Sequence, residues 1–190
     1  QENGLLRLNN NDMYIGSGGW GWCNELPATG YKGVPHLKDL WGFAESQETV
    51  GISPEHFGEF ILPYQLPIME RFGLNCYGCC EPIDVRWKYV EKIPRLRRVS
   101  ISKWANVERS AEMLGERYIF SYKPDSVWLA FPSIDEDVIL HGEKGLEHVV
   151  KTARDCNLEL IMKDNHTIGR NPQNAIRFVE LCRETIACQD

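Results

Sequence analysis

From Phe72 onward, apolar strand-like runs alternate four times with segments of helical periodicity, and this alternation narrows the possible folds more than any other feature. The strand-like runs fall at 74–79, 97–102, 118–122 and 158–162. The first is followed by a helix expected over 84–93, with Val85, Tyr89 and Ile93 on one face. Asn106 caps a second helix with Val107, Ala111 and Leu114 inward, and a third, after Asp135, aligns Leu146, Val149, Val150 and Ala153. Asn171-Pro172 opens a fourth, with Ala175, Val179, Cys182 and Ile186 expected inward. Regular alternation of this kind calls for parallel strands joined by crossover helices. No GxGxxG turn occurs at any junction, which counts against a dinucleotide-binding sheet and favours a segment of a (β/α) barrel.

The chain reads as a single domain over 1–190, with 1–50 an irregular lead-in and 51–190 the repeated β/α units. Within the lead-in, Asn9 to Asp12 form a turn cluster and Met13-Tyr14-Ile15 a short strand. Residues 16–22, glycine interleaved with tryptophan, are expected to be loop. Those tryptophans either cap a core at a tight crossing or wall a pocket for a planar ligand. Residues 24–50 are expected to be mostly loop, with a helical turn near 36–41. Ser53-Pro54 starts a helix whose apolar spacing runs through Phe57, Phe60, Ile61, Tyr64 and Ile68. Pro63 and Pro67 each cost about 3 kcal/mol in a regular helix interior, so a kinked or broken helix is expected.

A net charge of -6 argues against a nucleic-acid partner. No apolar run approaches the ~18 residues of a membrane span, and no secretion signal is visible. Of seven cysteines, three crowd positions 76–80, and adjacent residues such as Cys79-Cys80 make a poor structural disulfide. Free thiols in a reducing cytoplasm are the expectation. The first residue, Gln1, is not methionine, which suggests an excised segment or a removed tag.

In barrels the active site lies at the carboxyl ends of the strands. In order, those ends carry Cys79-Cys80-Glu81, Lys103-Trp104, Lys123 and Lys163-Asp164-Asn165-His166. If they share one rim, Glu81 and His166 are candidate acid–base groups, and Trp104, Lys123, Lys163 and Asp164 candidate substrate contacts. The bland alternative is a set of salt bridges, with Lys123 and Lys163 pairing with Glu81 and Asp164. The cysteine cluster admits three readings. Cys79, Cys80 and His166, with Glu81, could hold zinc with one position open; Cys76-x-x-Cys79 could be a thiol redox pair; or the thiols are inert packing. His36, His56, His141 and His148 are expected at the surface.

Three stretches, Gly73 to Glu81, Leu96 to Ser102 and Leu160 to Thr167, resemble the uroporphyrinogen decarboxylase-like superfamily, which includes the cobamide-dependent methyltransferases. The resemblance covers residues 50–190 and implies the carboxyl-terminal half of a TIM-type (β/α)8 barrel, hence a fragment of a longer protein. In the methyltransferase branch a His-x-Cys motif and a later cysteine bind zinc. Here Tyr77-Gly78-Cys79 stands at that motif and Lys163 to His166 at the later position, leaving Cys80, Glu81 or His166 as substitute ligands. The decarboxylase branch uses residues from the other half, with no counterpart here. The resemblance implies methyl transfer on a small molecule, with a corrinoid carried by a partner protein. It also implies self-association or a missing amino-terminal half, because a half barrel bares its inner face. A non-catalytic small-molecule binding domain and a thiol redox protein using Cys76 and Cys79 are the alternatives.

Overall fold

A computed structural model describes residues 3–188. Its centre is a five-stranded parallel sheet of β3 (Trp41–Ala44), β4 (Leu74–Tyr77), β5 (Leu96–Ile101), β6 (Ile119–Tyr122) and β7 (Asn157–Leu160), side by side in chain order. The α/β alternation is therefore present, with every sheet pairing parallel. Ahead of the sheet, β1 (Tyr14–Gly16) and β2 (Gly19–Trp20) form a small antiparallel hairpin.

The helices are α1 (Pro54–His56), α2 (Leu62–Met69), α3 (Trp87–Val90), α4 (Val107–Leu114), α5 (Glu136–His141), α6 (Leu146–Thr152) and α7 (Pro172–Ala187). Their starts follow the capping chemistry of the sequence. Ser53 Oγ accepts from the His56 amide at 3.2 Å, Asn106 Oδ1 from Arg109 at 2.7 Å, Asp135 Oδ1 from Val138 at 3.2 Å and Asn171 Oδ1 from Gln173 at 3.1 Å.

The alternating side chains of the strands give the sheet two unlike faces. One face presents Tyr77, Val99, Ile101, Phe120 and Tyr122 to the helices, where they join Phe57, Val90, Val107 and Val149 in the main core. Leu129, Leu146, Phe178 and Leu181 form a second cluster beneath α7. The opposite face carries Cys76, Arg98, Ser100, Ser121 and Glu159, and the hairpin covers it. Ser17 Oγ and Ser100 Oγ lie 2.9 Å apart, and Trp41 Nε1 donates to the Gly21 carbonyl at 2.9 Å. At Gly18, with φ +78°, a Cβ would stand 2.7 Å from Ile161 Cγ2, so only glycine lets the turn press this close. Arg98 Nε and Glu159 Oε1 pair at 2.7 Å beneath it.

Several expectations need correction. Residues 41–44, expected as loop or helical turn, are an edge strand, so the β/α repeat begins inside the lead-in; the helical turn near 36–41 is confined to Leu37–Asp39, and a second one covers Gln47–Thr49. Gly19 and Trp20, expected in a loop, are strand. The tryptophans do not cap a core: Trp20 and Trp22 are 43% and 63% exposed and stack on each other at 5.9 Å. The helix expected over 84–93 is a 3-10 turn, Ile83–Arg86, followed by α3, with Ile83, Val90 and Ile93 inward and Val85 exposed. The helix after Asp135 is two helices, parted at 142–145.

The proline-bearing helix is irregular, as expected, with its first turns completed by a π turn, Phe57–Ile61. The wider turn inserts an extra residue and rotates the apolar stripe. Leu62 and Met69 are therefore buried, while Phe60, Tyr64 and Ile68 face outward. On α7 the buried face is Asn174, Phe178, Leu181, Cys182 and Thr185; Cys182 is inward and Ala175 packs on the cluster as expected, but Val179 and Ile186 are exposed.

Candidate functional site

The carboxyl ends of β4, β5, β6 and β7 meet at one cleft, lined by Cys80, Ser102 to Trp104, Lys123 to Pro124, Ser126, Lys163 and Asp164. Parallel strands in chain order bring successive strand ends to one edge, so residues 84 positions apart become neighbours. Lys163 Nζ donates to Asp164 Oδ2 at 2.7 Å, to Cys80 Sγ at 3.2 Å and to Cys79 Sγ at 3.3 Å. Asp164 takes a left-handed backbone, φ +59°, a conformation disfavoured for a residue with a side chain. Gly78, at φ +99°, makes the corresponding turn after β4.

On the far wall Lys103 Nζ donates to Asp125 Oδ1 at 2.8 Å and lies 4.9 Å from the centre of the Trp104 ring. Trp104 is 67% exposed and supplies an aromatic face at the mouth. Ser102 Oγ donates to the Glu81 carbonyl at 3.3 Å, stitching β5 to β4. Lys123 stands at the floor, 3% exposed. Its amide donates to the Ile101 carbonyl at 2.8 Å, and its Nζ donates to Ser121 Oγ.

The electrostatics separate the two lysines. Burial above all pushes Lys123 down to about 8; Glu159 and Cys76 oppose it, and the smaller effects of the Arg98 and Lys163 charges add to it. Burial also acts to lower Lys163, but the hydrogen bonds and charges of Asp164 and the two cysteines outweigh it and raise that ammonium. Asp164 is lowered: burial alone would raise it, and Lys163 overcomes that. Burial leads in raising the Cys80 thiol, with Lys163 opposing.

Not every expected site residue reaches the cleft. Glu81 is fully buried and bound elsewhere: Oε1 accepts from the Ser46 amide at 2.8 Å and Oε2 from the Cys79 amide at 2.9 Å. Both oxygens are occupied in bracing the loops after β3 and β4, so a proton-transfer role at the rim has no geometry. Nor does Glu81 pair with Lys123. His166 is exposed and has no hydrogen-bond partner among the described residues, because the loop turns outward at Asp164. The pairing of Lys163 with Asp164, part of the bland alternative, is present. His141 and His148 are partly exposed, beside Glu147 at 3.1 Å and Glu108 at 2.8 Å.

The donor set does not fit zinc. Among the described residues no three His, Cys, Asp or Glu side chains are arranged to hold a metal ion. The Lys163 ammonium instead touches both sulfurs that a metal would need. Nor do the thiols favour exchange between Cys76 and Cys79. Cys76 is fully buried beside Leu26, Trp41 and Leu74, and burial raises its thiol to about 11, far from the thiolate that exchange requires. Ser121 and Ser126 were not foreseen as site residues. The two-residue strand period offered a signal for Ser121, because it puts Ser121 and Lys123 on one face. No family model, curated protein or solved structure matches this chain.

Proposed function

We propose that this chain is the carboxyl-terminal half of a TIM-type (β/α)8 barrel of the uroporphyrinogen decarboxylase-like kind, and that its cleft binds a small anionic molecule for corrinoid-linked methyl transfer. The convergence of four consecutive strand ends on one polar cleft carries this reading. A sheet whose parallel strands follow chain order is what a barrel opened along one seam would leave, with β3 and β7 as its edges. Phe60, Tyr64 and Ile68 form an exposed apolar stripe, and Trp20, Trp22 and Val179 border a groove beside β7. A second copy of the chain, or an amino-terminal half, would cover such surfaces.

In this reading Lys163 and Lys103 set a positive field for the anionic group, Lys123 contacts it from the floor, Trp104 offers a face to its apolar part, and Asp164 orients Lys163. A corrinoid carried by a partner protein would supply or accept the methyl group; the residues of this chain bind and orient the small molecule. Seven free cysteines suit a reducing, cytoplasmic setting. Among the described residues no helix is long and apolar enough to cross a membrane.

The test is a titration of the protein with short carboxylates and phosphate, followed by NMR, alongside turnover with methylcobalamin read from its methyl–cobalt absorbance. Saturable binding that Lys163→Met weakens, together with demethylation, supports the proposal. Binding without demethylation leaves the non-catalytic binding domain. Absence of saturable binding refutes the cleft reading altogether. Sedimentation separates self-association from a 21.9 kDa monomer that awaits its other half.

A further inference from the structure

We propose that Lys123 is an imine-forming lysine and that the cleft takes a short 2-oxo acid, whose carbonyl carbon its Nζ attacks. This rests on the reading of the cleft as a site for small anions and names the substrate class and the bond that forms.

The first observation is the company Lys123 keeps. The other two lysines of the cleft each hold a carboxylate, Lys103 with Asp125 at 2.8 Å and Lys163 with Asp164 at 2.7 Å. Lys123, the most buried of the three, forms no ion pair among the described residues, and the Ser121 hydroxyl is the one hydrogen-bond partner of its side chain there. Glu159 and Cys76 stabilise the ammonium from a distance, but no carboxylate touches it; burial outweighs them, and the amine relieves that cost by giving up its proton. Its drop to about 8 agrees with this geometry, and leaves a substantial neutral fraction near pH 8 where an ordinary lysine has well under about one per cent. Neutral lysine is a nucleophile toward carbonyl carbon.

The second observation is rigidity. Lys123 continues the ladder of β6 through its bond to the Ile101 carbonyl, so its stem is anchored on the sheet rather than on a loop. The third is size and charge. The cleft encloses about 60 Å³, room for roughly four to six waters and so for an acid of comparable heavy-atom count. Lys163 remains cationic on the adjoining wall. Two of its three hydrogen bonds go to thiol sulfurs at 3.2 and 3.3 Å, weak acceptors that a carboxylate oxygen displaces. A carboxylate directly joined to a carbonyl suits a cleft that Lys163 and Lys123 both line.

In the step itself, the Nζ lone pair forms the C–N bond and the carbonyl oxygen takes up a proton, giving a carbinolamine. Loss of that oxygen as water, with the two amine hydrogens accounted for in the water released, leaves the imine; a proton from solvent makes it the iminium. The Ser121 hydroxyl, held against Nζ, is placed to pass protons. No oxidant or reductant is required.

The experiment incubates the intact chain with pyruvate and sodium borohydride, which reduces an imine to a stable secondary amine, and maps the adduct by peptide mass spectrometry. Lactate, which lacks the carbonyl, is the competitor, and NMR titration follows binding of both acids. The expected result is one adduct per chain, on Lys123, suppressed by lactate. Below pH 8 its rate should rise about tenfold per pH unit, and level off above. Lys123→Met should lower trapping to the level of the surface lysines; should that variant not fold, the adduct map of the unaltered chain decides alone. Binding of both acids without an adduct on Lys123 overturns the imine and leaves the anion cleft standing. Adducts scattered over surface lysines overturn it too, and failure of both acids to bind overturns the imine and the cleft reading together.

Discussion

Glu81→Ala should unfold the loops behind the cleft rather than silence a catalytic group. The carboxylate holds two backbone amides, those of Ser46 and Cys79, at 2.8 and 2.9 Å in a fully buried position. Arg86 lies within electrostatic reach and donates to the Ser46 carbonyl at 3.2 Å, so the loops after β3 and β4 are tied through one cluster. Removing the carboxylate strands both amides without water. At ~1–3 kcal/mol per orphaned buried group, the cost is about 4 kcal/mol, a large part of the ~5–15 kcal/mol that holds a domain folded. With a urea dependence of roughly 2 kcal/mol per molar, the unfolding midpoint should fall by about 2 M. Glu81→Gln keeps one acceptor but turns an NH2 group toward the other amide, so about half that loss is expected. Urea denaturation followed by circular dichroism measures both. A midpoint shift under about 0.5 M for Glu81→Ala, accompanied by lost ligand binding, would refute the bracing role and return Glu81 to the rim chemistry.

Gly78→Ala should cost about 1–3 kcal/mol. Its φ of +99° disfavours a side chain, and a Cβ would meet Ile83 at 3.0 Å and the Ser100 carbonyl at 3.1 Å; thermal unfolding gives the number. Lys123 makes stability rise with pH. Its folded value of about 8 lies below its ordinary 10.5, so between these the unfolded chain binds more protons and unfolding grows harder as pH climbs. Lys123→Met should flatten that rise and add a few kcal/mol at neutral pH, which denaturant midpoints from pH 7 to 10.5 would reveal; an unchanged slope would contradict the buried amine. In thiol titration of the native chain Cys188 should react first. Cys76 and Cys182, raised by burial to about 11 and about 12, should wait for denaturant.

The rim was legible in the sequence because polar residues follow each apolar run, and chain-order pairing then collects them. The strand Trp41–Ala44 was not. Glycine and alanine break its apolar run, and the reason for Gly42 is tertiary: a Cβ there would stand 2.4 Å from Asn75 Oδ1. The stripe of α2 was misread because periodicity assumes a uniform turn, and the π turn ahead of it resets the phase. Residue type alone suggested chemistry for Glu81 and His166. Which way each points depends on an amide 35 positions away and on a left-handed backbone at Asp164, and neither is written in local spacing.

The hairpin over the charged face of the sheet has a practical corollary for anyone trimming the chain. A version shortened past Trp22, made to isolate the repeating units, would flood the Arg98–Glu159 pair with water and strip Ser100 of its Ser17 contact. Glu159 and Arg98 set part of the potential felt by Lys123, so the amine's affinity for protons would drift as well. The irregular beginning thus acts as an internal plug, and truncation there would retune the reactive end from behind.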